Sequence, residues 1–469
     1  MNNNNRTLPY FALLLALGAN TLIVELVIPR MIAPVFGNTL FSWTAIITVV
    51  LVALTAGYRV GGILATRKKM NGYILVFSLG AAIWGLLLGL FGDVIVPYMR
   101  PFNMMFGPLI AATILAALPA FLDAAVVPMV IQAIEGERGD VSGRCFAWST
   151  IGSILGVVFT GYVLLPQLGI SGALLTGVVL ITLAMIPMRW YLPASCLAIL
   201  CIGAIVFTTQ QIPKSLVDLS NGYHRIQVKE TGSVRSLYLD TTLEGQVRTG
   251  NPRPVAQYMT RVVDMIETNL INTEHPVTSA FFLGGGSFSM PGYLKHINPE
   301  MRVVVAEVDP DVVQIGTKYL ELNKDIEVII GDGRNVLADD SSRYDVIVND
   351  AFHGVRKIPF HLASREFNQL VSNRLSSKGV YIINVRGHPS QSHMASSFVK
   401  TLSDVFPYLY AKTETRTNIS VIASKQQIDW ADEIKEIGPM AITLTDNHAP
   451  IEYLIARDFV DEKLRRMRN

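Results

Sequence analysis

The chain has 469 residues, of which 50% are hydrophobic and only 16% charged, where soluble globular chains carry roughly 25% charged residues. The shortfall sits at one end: up to Ile212 there are 10 Lys and Arg and 6 Asp and Glu, which leaves 29 of 39 bases and 31 of 37 acids for the remainder. A single soluble domain, a disordered chain and a wholly membrane-embedded protein are excluded, and neither part has the basic excess that binding a phosphate backbone needs, so nucleic acid is not an expected partner.

Residues 1–212 read as a transmembrane domain of about seven helices. Apolar runs cover about 9–28, 42–65, 72–92, 106–132, 145–166, 170–188 and 191–208, each close to the roughly 20 residues that span a bilayer core. The Asn-rich start with its single Arg6, and the further runs behind it, make the first run a membrane helix rather than a signal peptide. Gly57, Gly61 and Gly62, and Gly152, Gly156 and Gly161, are spaced to let helix backbones approach closely in lipid. The fourth run holds Asp123 between Pro119 and Pro128, where a broken helix could expose polar backbone to a cavity; Glu25 is a second carboxylate within a run, and such groups point to function unless a pairing of Glu25 with Arg59 or Arg30 merely holds helices together. Loop bases number seven on the N-terminal side and two (Arg30 and Arg100) on the other, which places the N-terminus in the cytoplasm and, with seven spans, the polar half outside. Either the count of spans is off by one, most readily at the proline-interrupted run 106–132, or the charge rule fails here; the expectation is a multi-pass cell (inner) membrane protein with its polar half on the cytoplasmic side, against the loop charges.

All three cysteines (Cys145, Cys196, Cys201) lie in the apolar part, and all eight histidines lie beyond residue 220 without ligand spacing, so no disulfide framework and no metal site are expected. Residues 213–260 read as a small β-rich lead-in and residues 261–469 as an α/β domain. Continuous apolar strands at 280–283, 302–306, 327–330, 344–348 and 379–384, separated by helix-length stretches, predict a buried, mostly parallel, doubly wound sheet.

The first of these strands runs into Gly284-Gly285-Gly286-Ser287-Phe288, and the second ends at Glu307. A glycine turn followed at this distance by an acid suits a ribose beside a close-approaching backbone; with Ser289 in place of the third fingerprint glycine, an adenosine ligand is favoured over NAD. The third strand ends at Gly331-Asp332-Gly333 and the fourth at Asn349-Asp350-Ala351-Phe352-His353. Four strand ends bearing Gly284, Glu307, Asp332 and Asp350 describe one crevice, because open parallel sheets bind ligands beyond the carboxyl ends of their strands. Asp332 alone is equally a helix N-cap.

These motifs, with Tyr344-Asp-Val-Ile-Val-Asn-Asp and the lead-in Leu239-Asp240 to Gln246 followed by Tyr258, resemble the spermidine synthase (polyamine aminopropyltransferase) family. The apolar half, with Glu25, Arg30, Trp43 and Gly57 to Gly62, resembles the membrane-fused members, as do Ile358-Pro-Phe-His-Leu and the tail Leu444 to Glu452. The resemblance implies a class I methyltransferase-like (Rossmann-like) domain behind a small β-strand domain, and a homodimer. It implies that Gln246, Glu307 and Asp332 hold ribose and adenine of decarboxylated S-adenosylmethionine or S-adenosylmethionine, with Gly284, Gly285, Gly286, Ser287 and Gly333 completing that site. Tyr258, Asp350 and His353 would face the amine substrate, Asp350 deprotonating it and His353 serving as proton acceptor or shuttle. His361 and His448 are taken as structural.

The sequence departs from the family where a diamine would be read. Ser287 replaces an acid that pins the aminopropyl ammonium, His353 replaces a second substrate-facing Asp, Asn251-Pro252 replaces an Asp-Glu pair, and Met259 replaces a Gln. The expected activity is membrane-bound aminopropyl transfer to an amine with release of methylthioadenosine. Cleavage of intact S-adenosylmethionine by intramolecular or water attack, a transporter with a nucleoside- or polyamine-sensing domain, and a methyltransferase are the competing readings.

Overall fold

The computed structural model describes residues 4–37, 39–99, 101–103, 105–210, 215–221, 223–240, 242–271, 276–351, 358–413 and 418–468. The chain divides into two compact units, one of Met1–Pro213 with Ser220–His224 and the other of Lys214–Leu219 with Arg225–Asn469.

The first unit is helical: α1 (Asn4–Phe36), α2 (Leu40–Leu64), α3 (Met70–Ile95), α4 (Gly107–Ala133), α5 (Arg138–Phe159), α6 (Leu165–Met185) and α7 (Tyr191–Gln210). Among the described residues five stretches are long and apolar enough to cross a bilayer by length and composition. The last of them, Arg138–Met185, has 48 residues, about 72 Å at 1.5 Å per residue against a hydrocarbon core of about 30 Å. It bends at Gly169, whose φ of 66° and ψ of −169° leave the helix, and so joins the run expected at 145–166 to the run expected at 170–188, of which it covers all but the last three residues.

The expected break in the fourth run is not found: α4 continues through Pro119 and Pro128. Proline at 119 has no N–H to give the carbonyl of Leu115, and the Trp84 indole Nε1 donates to that oxygen instead at 3.0 Å. A neighbouring helix thus satisfies the freed group, the condition under which proline is tolerated inside a membrane helix. The glycine reading holds in part. A Cβ on Gly61 would stand 2.1 Å from the carbonyl oxygen of Ala125, and one on Gly152 would stand 2.0 Å from that of Leu15, so α2 on α4 and α5 on α1 pack backbone to backbone. Gly62 and Gly161 face nothing within 4 Å and take no part.

The second unit opens with a four-stranded sheet in the order of the chain: β1 (Val217–Ser220), β2 (Arg225–Thr231), β3 (Val234–Leu239) and β4 (Thr242–Arg248). Helix α8 (Gln257–Ile266) leads into β5 (Ser279–Leu283), α9 (Ser289–Ile297), β6 (Arg302–Glu307), α10 (Pro310–Tyr319), β7 (Glu327–Ile330), α11 (Gly333–Asp339) and β8 (Tyr344–Asn349). Then follow α12 (Arg365–Arg374), β9 (Leu375–Arg386), α13 (His393–Ser403), β10 (Tyr408–Thr413), β11 (Asn418–Ser424), β12 (Asp432–Glu433) and α14 (Ile451–Arg468). The large sheet has the order β12-β10-β11-β9-β8-β5-β6-β7. Strands β7, β6, β5, β8 and β9 are parallel, as the apolar runs predicted, while β11 and β10 add an antiparallel edge that the sequence reading left unassigned. The sheet is therefore mixed. Its centre is dry: Phe281, Phe282, Val304, Val346 and Ile347 are at most 1% exposed, as strands covered on both faces must be.

Candidate functional site

The chain leaves β5 towards β6 and β7 on one side, while β8 pairs on the other. Such a switch point opens a crevice at the carboxyl ends of the strands. Ladder bonds keep those ends in step: Gly284 N donates to Ala306 O at 2.9 Å, Gly331 N to Glu307 O at 2.9 Å and Asp350 N to Leu283 O at 3.2 Å. Gly284, Glu307, Asp332 and Asp350 consequently emerge along one edge. Glycine is required at 284, where φ is 89° and a Cβ would lie 3.1 Å from Ala351 Cα.

Glu307 is 8% exposed, and its carboxylate is fixed by the backbone. Gly285 N donates to Oε2 at 2.8 Å and Asp309 N to Oε1 at 3.0 Å. Each oxygen keeps a lone pair for a diol hydroxyl. Ser287 is turned inward: it is fully buried, donates to Ser289 Oγ at 3.0 Å, and lies where a Cβ on Gly245 would touch it. Gln246 on β4 donates from Nε2 to Ser236 Oγ at 3.0 Å. Gly333 opens α11, and a Cβ there would meet Leu283 at 2.6 Å, so that glycine lets α11 sit against β5.

Asp332 fills the N-cap role, with Oδ1 accepting from Arg334 N at 3.1 Å and Asn335 N at 3.2 Å. Its Oδ2 lies 2.8 Å from His361 Nε2. His361 thus belongs beside a proposed nucleoside contact. The segment carrying it is tied down by the chain's tail: Arg334 Nη1 donates to His361 O at 3.0 Å and pairs two-pronged with Asp446, both contacts at 2.6 Å, and Ser364 Oγ donates to Asp446 at 2.6 Å. The Arg334 hydrogen bond holds the Asp446 carboxyl below its usual range. The tail motif that sequence reading left without chemistry is a buttress for α11.

Asn349 and Asp350 divide their duties. Asn349 is fully buried and donates to Tyr381 OH at 2.8 Å, fastening β8 to β9. Asp350, next along and half-buried, accepts from Tyr258 OH at 3.2 Å and from Asn384 Nδ2 at 3.4 Å. Burial pushes its carboxyl up to about 7; the Asn384 hydrogen bond opposes the rise, the charge of Glu244 adds to it, and the Tyr258 hydrogen bond opposes it. Burial and the charges of Asp350 and Glu244 push the Tyr258 hydroxyl well up as well. Tyr258 therefore stays a proton donor to the carboxylate.

Glu244 and Asn384 were not anticipated from the sequence. In the β3–β4 ladder Leu237 pairs with Gly245 and Tyr238 with Leu243, so Glu244 is the extra residue of a β-bulge. Bulges re-aim side chains beside active sites. Asn384 could have been found as the first polar residue closing the apolar run of β9, at the level of Asp350. His353 lies outside the described residues. Among those described, no group of three or more His, Cys, Asp or Glu side chains could hold a metal ion.

Residues 274–426 match the family model of the spermine/spermidine synthase domain. The chain is 31% identical over 151 residues to a protein of Bifidobacterium longum named probable polyamine aminopropyl transferase, covering 31% of this chain and 34% of that protein. It therefore spans about a third of that relative's length. It is 25% identical over 415 residues to a polyamine aminopropyltransferase of Corynebacterium efficiens, covering 76% and 75% of the two chains. Among solved structures it is similar to a probable spermidine synthase from Corynebacterium glutamicum, with 18% identity, a TM-score of 0.40, and coverage of 46% of this chain and 82% of that one.

Proposed function

With a spermine/spermidine synthase domain in residues 274–426 as the starting point, we propose that the chain is an aminopropyltransferase. It would move an alkyl group from a sulfonium nucleoside, decarboxylated S-adenosylmethionine, to an amine. The observation that carries the reading is the enclosed Asp350, clamped by Tyr258 and Asn384 at the switch point of the sheet. A carboxyl raised to about 7 is a stronger base than an ordinary aspartate, which suits removal of a proton from an ammonium ion.

Glu307 orients the ribose through a carboxylate already fixed by two backbone N–H groups. Asp350 takes the proton of the acceptor ammonium. The freed nitrogen lone pair then attacks the carbon next to sulfur, the C–S bond breaks, and its electron pair stays on sulfur as neutral methylthioadenosine departs. Glu244, re-aimed by the bulge, supplies a second negative charge near the acceptor and offsets part of the acid set missing at Ser287 and Asn251-Pro252. The helical unit anchors the enzyme in the cell membrane with the catalytic unit on the cytoplasmic side, a placement that protease accessibility of the polar unit in oriented vesicles tests.

A second reading uses intact S-adenosylmethionine, because Ser287 puts no acid where the aminopropyl ammonium would be pinned. One assay decides. The full chain is incubated with either donor, with and without putrescine, and methylthioadenosine is followed by chromatography. The proposal expects methylthioadenosine from the decarboxylated donor, dependent on amine. Release from the intact donor without amine supports the second reading, and S-adenosylhomocysteine, or no nucleoside product from either donor, sinks the first.

A further inference from the structure

Asp123 lies in the middle of the helical unit and is 3% exposed. Its Oδ2 is 2.9 Å from Asn20 Nδ2 and 2.9 Å from Thr21 Oγ1, while its Oδ1 is buried without a hydrogen-bond partner. Thr21 is near the midpoint of the 33-residue α1, about 25 Å from either end at 1.5 Å per residue. A lone carboxylate at that depth is costly.

The hydrogen-bond geometry shows how the cost is avoided. Thr21 Oγ1 is within reach of two acceptors, Asp123 Oδ2 and the carbonyl of Leu17 at 3.1 Å, yet a hydroxyl has one hydrogen. If Asp123 is neutral, its own O–H donates to Thr21 and Thr21 donates to Leu17, so every hydrogen has an acceptor. The unpartnered Oδ1 is then a carbonyl oxygen rather than half of a bare anion. A metal ion fits poorly, since hard cations want about six oxygens and Asp123 stands here without a second acidic side chain; among the described residues no group of three or more His, Cys, Asp or Glu could hold one.

No neighbouring charge supplies an alternative. Tyr58 and Arg59 on α2 are exposed, Glu25 on α1 is one turn beyond Thr21, α6 carries no ionisable residue, α3 presents Ser78 at the level of the Phe77–Phe121 ring pair, and α5 meets α1 next to this level through Gly156, against Ala19, with Ser149 and Ser153 a turn away at Gly18. No hydrogen bond or ion pair joins Asp123 to an ionisable side chain among the described residues.

We propose that Asp123 is a proton-binding site at the centre of the membrane unit, and that release of its proton loosens the packing of α1 on α4. The test uses the full chain in lipid nanodiscs, with Asp350→Asn as background so that the crevice carboxyl is silent. Infrared difference spectra between acidic and alkaline buffer should show a protonated-carboxyl carbonyl band that is lost on alkalinisation and is missing in Asp123→Asn. Hydrogen exchange of α1 peptides should rise several-fold over the same pH interval with Asp123 and stay flat with Asn. A spectrum unchanged by Asp123→Asn overturns the proposal. So does an Asp123→Asn chain that fails to assemble at acidic pH, because the amide is isosteric with the neutral acid and its N–H replaces the acid's O–H towards Thr21.

Discussion

Replacing Asp350 with Asn should stabilise the ligand-free protein, and the gain should grow with pH. The crevice moves this carboxyl from the ordinary 3.8 to about 7, which amounts to about 4 kcal/mol held against ionisation at about 1.4 kcal/mol per tenfold. The direction follows from proton counts: between those two values the folded state binds more protons than the unfolded one, so stability falls as pH rises through the interval. Below about pH 4 both states are protonated and nothing is lost; above about pH 7 the full penalty applies. Asparagine keeps an oxygen for Tyr258 and carries no charge, so it escapes the penalty. Its advantage should grow by up to about 2 kcal/mol between about pH 5.5 and about pH 8.5, which water entering the half-buried site reduces. For a folding unit of this size that is a widening of roughly 4–8 °C in melting temperature at most. Melting of the full chain in nanodiscs, wild type against Asp350→Asn, measures it. A difference independent of pH, or one that shrinks as pH rises, would refute the assignment of Asp350 as a carboxyl held near neutrality.

Glu244→Gln removes a like charge and should move the acid limb of kcat/KM below about 7, whereas Tyr258→Phe removes a bond to the ionised form and should move it up; pH profiles of the two variants must shift in opposite directions. Gly285→Ala puts a Cβ 2.5 Å from the Phe288 ring and 3.2 Å from Glu307 Oε2, so nucleoside affinity measured by calorimetry should fall at least tenfold, at a stability cost of about 1–3 kcal/mol. Asp446→Asn unpairs Arg334 in a half-exposed network and should cost about 1 kcal/mol, read as a lower melting temperature together with a higher KM for the nucleoside donor.

Legibility in the sequence followed what was local. The strands β5 to β9 were readable because each is a short apolar run closed by a polar or glycine residue, and the parallel sheet follows from their alternation with helices. Strand ends told which side chains share a crevice, since topology fixes that edge. What stayed hidden depended on partners far away in the chain. Glu244 reads as an ordinary strand residue until the pairing of β3 with β4 leaves it over as a bulge. The continuity of α4 was misjudged because Pro119 is a breaker by itself, and its rescue comes from Trp84, 31 residues earlier than the carbonyl it serves. His361 looked structural because nothing in the sequence places it at Asp332.

The same contrast bears on how the proposed chemistry is compatible with the absence of the expected acids. The residues proposed to set the nucleoside are held by backbone: Glu307 by two N–H groups and Asp332 by the start of α11. Those contacts use backbone donors and so need no particular neighbouring side chain, only the room that Gly285 leaves. Residues proposed to read an acceptor ammonium act largely by charge, and charge can be supplied from any strand that reaches the crevice. Loss of an acid at Ser287 is therefore compatible with a new one arriving on β4, provided the backbone there bends to aim it, and the bulge at Glu244 is that bend. The charge of Glu244 acts on both Asp350 and Tyr258, so under the proposed function this carboxylate would read the acceptor amine near its reacting nitrogen.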